Sequence, residues 1–371
     1  MTISDNRSPF KADFAQAPYL VLWELTRACN LACRHCRARA IRHRSPEELS
    51  LENCRRLLDD LTQFGRPLLV LTGGDPVQRD DLFEIINEAR QRGFPVAITP
   101  SATPITTRSV VERLKESGVE RLAVSLDGPT ALVHDRFRGV PGSYDMTLNI
   151  ITWATAAQLP VQINTTIWNG NVGCFDQMVA TVANLEAVLW SLFFLVPTGR
   201  AHVDMQISPQ EAEAIMLSMA QLSTTAKFDV KATAAPHFRR VLIEYVSQMS
   251  PDADHNLGNL SPGMRLGALR AYRSVNDGKG VIFISHTGDI YPSGFLPLVS
   301  GNVKTASIVE VYRTHPLFLA LRDASLLRGK CRACRYKSIC GGSRARAYGQ
   351  TQDYLAADPL CAYVDSNATA T

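Results

Sequence analysis

The stretch Trp23-Glu24-Leu25-Thr26-Arg27-Ala28-Cys29-Asn30-Leu31-Ala32-Cys33-Arg34-His35-Cys36 places three cysteines within eight residues, directly after an apolar, strand-like run. Cysteines this close on one loop read as metal ligands. Three thiolates at C-x3-C-x2-C spacing can wrap one face of a cubane iron–sulfur cluster and leave its fourth iron open to a cofactor or substrate. The same loop could instead form a structural zinc knuckle, with His35 as the fourth ligand.

The 371-residue chain around it is 46% hydrophobic, enough for one large domain and a smaller one about a sizeable core. No apolar run reaches the roughly 18 residues of a membrane span. The N-terminus, Met1 to Ser8, lacks the apolar core of a secretory signal, so a cytoplasmic location with reduced thiols is expected. Seven of the nine cysteines fall into two spaced sets, while Cys54 and Cys174 stand alone in helix-like segments as small buried thiols. A net charge of +4 gives no reason to invoke nucleic acid. Arg34, Arg37, Arg39, Arg42 and Arg44 crowd the first cysteines, and Arg344 and Arg346 flank the second set. Such runs are either solvated faces or guanidiniums turned toward an anionic cluster or an acidic substrate.

Residues 1–18 are polar and unpatterned, which predicts a loose arm. Tyr19–Leu25 reads as a buried strand, and strands follow at Pro67–Thr72, Pro95–Thr99, Arg121–Leu126, Pro160–Ile167 and Val188–Val196. Between them lie helical patterns at Leu51–Phe64, Asp80–Arg92, Thr106–Ser117, Tyr144–Gln158 and Phe175–Leu185. Six strands alternating with helices imply an α/β fold with a parallel sheet and right-handed crossovers. Length alone does not separate a doubly wound sheet from a barrel. Residues 208–277 read as a helical and then irregular connector. From 278 the pattern is a hairpin, with strands Val281–Ser285 and Ile290–Tyr291, followed by a helix Ile308–Ala324 that Pro316 interrupts.

The cysteine loop and its place after the first strand resemble the radical S-adenosylmethionine (SAM) superfamily. That resemblance implies an open (β/α)6 partial TIM barrel over residues 19–207. It also implies a [4Fe–4S] cluster on Cys29, Cys33 and Cys36, whose open iron is chelated by SAM. Reductive cleavage would then give a 5′-deoxyadenosyl radical, with the electron coming from a donor such as flavodoxin or ferredoxin. Thr72-Gly73-Gly74-Asp75-Pro76 resembles the family's Gly-Gly-Glu segment, implying that Gly73, Gly74 and Asp75 meet the SAM amino group. Ser125-Leu126-Asp127-Gly128 resembles a segment whose Ser and Asp reach the SAM carboxylate or ribose, and the loop His134–Gly139 would offer Arg138 to the carboxylate. Asn164 and Val196, at the ends of the fifth and sixth strands, would neighbour ribose and adenine. His35 stands where an aromatic residue is usual and would pack over the adenine.

The second set, Cys331, Cys334, Cys340 and Cys361, has a C-x2-C-x5-C-x20-C pattern that suits zinc or a fully ligated cluster equally well. It resembles the C-terminal half of the SPASM extension of radical SAM enzymes, which implies a SPASM/twitch-like auxiliary domain over residues 278–371. A full extension carries seven cysteines and two clusters. Here the G-x4-C step ends in Ser293, and Arg344 stands where a further cysteine is usual. One auxiliary [4Fe–4S] cluster is therefore expected, with the vacated space open to substrate beside His286, Ser293 and Arg344.

The texture of Cys340–Ala347 is similar to small-molecule members of the superfamily, including enzymes acting on porphyrin propionates and on cytosylglucuronate. This implies a radical SAM enzyme that takes hydrogen from a small carboxylate-bearing substrate and removes its carboxyl group. A SPASM-type peptide maturase and a non-catalytic zinc protein are the rival readings.

Overall fold

The computed structural model describes residues 13–249 and 274–365. Most of the expected N-terminal arm and much of the expected connector therefore lie outside the described residues.

The strands are β1 (Leu20–Glu24), β2 (Leu68–Thr72), β3 (Val96–Ile98), β4 (Arg121–Ser125), β5 (Val161–Ile167), β6 (Ala187–Phe194), β7 (Asp229–Thr233), β8 (Val281–Ile284), β9 (Asp289–Tyr291) and β10 (Gly301–Asn302). They form one open sheet in the order β10-β9-β8-β1-β2-β3-β4-β5-β6-β7. Pairing is parallel from β8 through β1 to β7, and antiparallel only in the β8–β9–β10 ribbon.

Helices α1 (Leu51–Thr62), α2 (Leu82–Gln91), α3 (Arg108–Glu116), α4 (Ala131–Arg138), α5 (Ser143–Ala156), α6 (Phe175–Ala183), α7 (Pro209–Thr225) and α8 (Phe238–Met249) run between the strands. Each strand turns alternate side chains to the helices and to the sheet's concave face, as period-2 geometry requires. Val21, Trp23, Leu69, Leu71, Ile98, Leu122, Ile163, Trp190 and Ile282 pack into the main core with α1 and α2. Leu22, Glu24, Val70, Thr72, Ser125, Asn164, Ser191 and Phe283 take the opposite, concave side.

Three expectations are corrected. A seventh parallel strand, β7, follows α7 in what was read as connector; its Asp229-Val230-Lys231-Ala232-Thr233 alternates polar and apolar, but over five residues with only Val230 and Ala232 apolar the signal is short, and pairing with β6 supplies the order. The hairpin does not stand apart from the core: β8 is apolar on both faces and adds in parallel to β1, Leu20 opposite Val281 through Trp23 opposite Ile284. The segment His134–Gly139 is largely helix, the C-terminal turn of α4, stopped by Gly139 in the left-handed region at φ 72°. Pro316 does divide the last long helix, giving α9 (Ile308–Thr314) and α10 (Pro316–Arg322), with the His315 side chain capping the second.

Candidate active site

The cysteine loop leaves the end of β1 and closes on itself through a bridge between Ala28 and Ile41, with Cys29 N donating to Ile41 O at 2.9 Å. Three neighbours then pin its backbone. Gly74 N and Asp75 N donate to Thr26 O and Ala28 O at 2.7 Å, Ala32 N and Arg34 N reach the last carbonyls of α4, and Arg200 N donates to Cys36 O. The glycines exist for this contact. A Cβ on Gly74 would lie 2.4 Å from Ala28 O, and one on Gly73 would lie 2.5 Å from Thr26 O. Gly73 and Gly74 thus admit the loop's own backbone, rather than simply leaving room for a ligand.

All nine cysteines are free. Each sulfur of the two spaced sets receives a donor. Leu31 N lies 3.3 Å from Cys29 Sγ, Arg138 Nη1 lies 3.7 Å from Cys33 Sγ, and Ala40 N lies 3.4 Å from Cys36 Sγ. In the second set Arg344 Nη2 meets Cys331, Tyr336 N meets Cys334, Gly342 N meets Cys340, and the Tyr363 backbone meets Cys361. Burial pushes the Cys29 thiol up to about 11 and the Cys340 thiol up to about 12, so these sulfurs are thiolates only where a metal displaces the proton. Seven sulfurs surrounded by donors fit iron–sulfur ligation. Among the described residues no three His, Cys, Asp or Glu converge on a point that a single ion could occupy. By contrast, Cys54 Sγ donates to Leu49 O inside α1, as a structural thiol does.

His35 is not beside the sulfurs. Its ring stacks on Phe137 at 3.9 Å and 5°, and Phe137 stacks in turn on Trp168 at 4.5 Å and 12°. Burial holds His35 down to about 3, so the imidazole is neutral. The stack covers one face of the imidazole, and Leu195 packs with Phe137 and Trp168. Val196 turns the other way, into a cluster with Leu296, Leu317, Leu321 and Ala345.

The acidic and basic positions read from sequence are mostly committed to the chain itself. Asp127 is fully buried and accepts from Arg138 at 2.5–2.6 Å and from Thr166 N at 2.6 Å, while its own N–H donates to His134 Nδ1. Arg138 therefore spends its charge on Asp127 and Cys33, not on a free carboxylate. Asp75, also fully buried, accepts from Val77 N, Ser101 N and Thr103 Oγ1, and burial raises it to about 6. Ser125 and Asn164 do come together: they are register partners on the concave face, and Ser191 continues the row on β6.

Composition gave no signal for a further group at the end of β1. Glu24, a carboxylate in an otherwise apolar strand, accepts from Arg37 Nη2 at 2.6 Å and lies 2.8 Å from His286 Nδ1. The Arg37 charge and the hydrogen bond with His286 hold Glu24 below the usual carboxylate range although burial opposes them. The Arg37 guanidinium lies over the Phe283 ring at 4.5 Å. Of the five arginines near the first cysteines, Arg34 and Arg42 are exposed, Arg39 donates to Gly199 O and Arg44 pairs with Glu48 and Asp80, so only Arg37 reaches this group.

The space expected beside His286, Ser293 and Arg344 is not a common opening. His286 is held on Glu24, Ser293 Oγ accepts from Phe295 N, and Arg344, 1% exposed, donates to Gly342 O, Tyr354 O and Ala356 O. Arg346 is equally buried and joins Asp358 to the carbonyls of Phe194, Leu195 and Ala234. Both arginines tie the second cysteine set to the end of β6 or to its own loops, and neither is a solvated face.

Residues 23–180 match the model of the radical SAM superfamily. Over 350 residues, 93% of this chain and 92% of the relative, the sequence is 38% identical to an AdoMet-dependent heme synthase of Nitratidesulfovibrio vulgaris. The chain belongs to the radical SAM superfamily. A second relative of the same description, from Methanosarcina barkeri, is 36% identical over 94% of this chain and 97% of its own length. Streptococcus suis SuiB bound to S-adenosylmethionine superposes with a TM-score of 0.68 at 17% identity, covering 94% of this chain and 78% of that one, a likeness of fold. A radical SAM enzyme works with a [4Fe–4S] cluster and SAM, takes reducing electrons, and keeps an open sheet like the one described. Among the described residues no helix is long and apolar enough to cross a membrane.

Proposed function

We propose that this radical SAM enzyme removes the carboxyl group from a propionate side chain of a porphyrin-type substrate. Cys29, Cys33 and Cys36 would hold the SAM-binding cluster, and Cys331, Cys334, Cys340 and Cys361 an auxiliary one. Reduced by a flavodoxin or ferredoxin, the cluster and SAM together supply a carbon radical strong enough to take hydrogen from an unactivated C–H bond. The substrate change balances as propionate going to vinyl with loss of carbon dioxide, one hydrogen atom passing to that carbon radical and one electron to the auxiliary iron–sulfur group, which Cys331, Cys334, Cys340 and Cys361 would hold.

The chain's own residues do the rest. Arg37, whose Nη2 is given to Glu24 but whose side chain keeps 21% exposure, meets the departing carboxylate with its remaining N–H groups, while Glu24 and His286 fix it and Phe283 stacks beneath it. Ser125, Asn164 and Ser191 offer hydroxyl and amide groups along the concave face to the SAM ribose and carboxylate. The carbonyls around Gly73 and Gly74 take its ammonium, and Asp75 supports them from behind. Asp127 and Arg138 act through Cys33, orienting its sulfur.

The observation that carries this reading is Arg37, a cation on the apolar concave wall beside the cysteine loop, in a chain alike over nearly its whole length to enzymes described as heme synthases. The test is anaerobic incubation of reconstituted protein with SAM, reductant and an iron porphyrin bearing propionates. The readouts are 5′-deoxyadenosine by chromatography and loss of the carboxyl group by mass. Wild type should form both and Cys33→Ala neither, while Arg37→Leu should raise KM about tenfold or more and leave slow uncoupled SAM cleavage intact. Deoxyadenosine whose rate no porphyrin acid changes, but a nucleoside uronic acid does, would move the substrate to that second class of carboxylate.

A further inference from the structure

The second cysteine set sits beside two arginines, Arg344 buried and Arg239 half-buried, that make no ion pair among the described residues, the charge of Asp277 acting on Arg239 only from beyond contact. Arg344 Nη2 lies 3.9 Å from Cys331 Sγ, and its other donors all end on carbonyls: Gly342 O at 3.2 Å, Tyr354 O at 3.1 Å and Ala356 O at 2.7 Å. Gly342 must be a glycine for this packing, since a Cβ there would lie 2.4 Å from Arg344 Nη2 and 3.3 Å from Cys331 Sγ. Arg239, the second residue of α8, donates to Ile339 O at 2.8 Å and to Val275 O, and its charge lies close enough to Cys340 to interact with it. Among the described residues no carboxylate forms an ion pair with either guanidinium.

Their neighbours show the contrast. Arg346 has Asp358, and Arg240 has Glu213 and Glu244. A guanidinium withdrawn from water without an ion pair is costly, most for the buried Arg344 and less for the half-buried Arg239, so the two beside the same thiols call for an anion at that place.

We propose that Arg344 and Arg239 are the counter-cations of an iron–sulfur group held by Cys331, Cys334, Cys340 and Cys361, and that they raise its reduction potential. The inference rests on the reading of this quartet as an iron–sulfur site. A cubane with four thiolates carries net negative charge in both oxidation states and one unit more when reduced. Fixed positive charge therefore favours the reduced form, and hydrogen bonds to the sulfurs act in the same direction. Zinc in four thiolates would gain the same electrostatic compensation but would have no potential to shift.

The experiment uses the full-length chain with Cys29→Ala, Cys33→Ala and Cys36→Ala, reconstituted anaerobically, so that any cluster signal comes from the quartet. Its reduction is followed by electron paramagnetic resonance during a redox titration. Arg344→Gln and Arg239→Gln should each shift the reduction equilibrium about tenfold toward the oxidised form, about 59 mV lower for one electron. Arg344→Lys, which keeps the charge, should recover most of the shift. Arg328→Gln, which removes an exposed guanidinium on the same segment, should change the equilibrium less than about twofold, as screened surface charges do.

A loaded cluster whose potential moves in neither Gln variant overturns the inference and leaves the iron–sulfur reading standing. Absence of any iron–sulfur signal in the three-alanine background overturns both. If Arg344→Gln fails to fold because three carbonyls lose their donor, Arg239→Gln on a different element decides the matter alone.

Discussion

At the scale of single residues, Arg138 does two things at once. Its guanidinium neutralises Asp127, which is fully buried, and leaves one N–H for the Cys33 sulfur. Removing one member of a buried ion pair strands the other, at a cost of about 3–5 kcal/mol. Arg138→Gln is therefore expected to destabilise the protein by about 3 kcal/mol in urea unfolding and to lower iron retention at the first cysteine set, with Cys331, Cys334, Cys340 and Cys361 still loading. An unchanged unfolding midpoint would mean that Asp127 finds other partners. The sequence offered Asp127 and Arg138 as separate ligand contacts, because each belongs to a motif of its own. Only the turn from β4 into α4 brings one onto the other.

At the scale of elements, the site depends on how closely the end of β2 approaches the loop that follows β1. Gly74 N donates to Thr26 O at 2.7 Å, and a side chain at Gly74 would meet the carbonyls of Arg27 and Ala28 at 2.4–2.5 Å. Those obstacles are backbone atoms, which cannot rotate aside. Gly74→Ala is expected to cost about 2 kcal/mol in stability, the usual range for overpacking, and to displace the cysteine loop. Iron bound should fall from about eight per chain toward about four, as expected for two cubane sites of which one is lost. Full loading of this variant would show that the loop can shift without releasing its ligands. Parallel pairing of β8 with β1 has a related consequence: it carries His286 to the end of β1, where Glu24 waits.

At the scale of the whole molecule, burial of titratable groups sets the response to acid. His134 and His237 are each about 1% exposed, and burial lowers both from 6.5 to about 4. A histidine whose folded value is depressed contributes stability that is present above 6.5 and is lost as the pH falls toward the folded value. Asp75 works in the opposite sense. Its folded value, raised from 3.8 to about 6, makes its contribution largest below 3.8 and erodes it as pH rises through 6. Going from pH 7 to pH 5 should thus cost roughly 2 kcal/mol for each histidine and return roughly 1 kcal/mol from Asp75. His35, held down to about 3, adds a like amount, so the expected net loss, roughly 5 kcal/mol by the same relation, can be read from urea midpoints across that range. His134→Asn, which keeps an acceptor for Asp127 N, should remove about a third of the histidine part of the slope; an unaltered slope would place the acid sensitivity elsewhere.

The sequence by itself determined the two cysteine sets, the alternation of strands and helices, and the superfamily they belong to, because spacing along a loop and hydrophobic period are local properties. Ser125 was legible for the same reason, standing where β4 ends, whereas Asn164 lies in the middle of β5 rather than at its expected end and meets Ser125 only through sheet register. Tertiary structure alone decided that Asp127 and Arg138 serve each other, that His35 stacks on Phe137, and that Arg344 and Arg346 are interior. It also decided that Glu24, Arg37 and His286 form one group from three distant segments. The physical reason is that a charged side chain's role depends on which partner cancels its charge once water is removed, and in these cases that partner is fixed by the fold rather than by spacing along the chain.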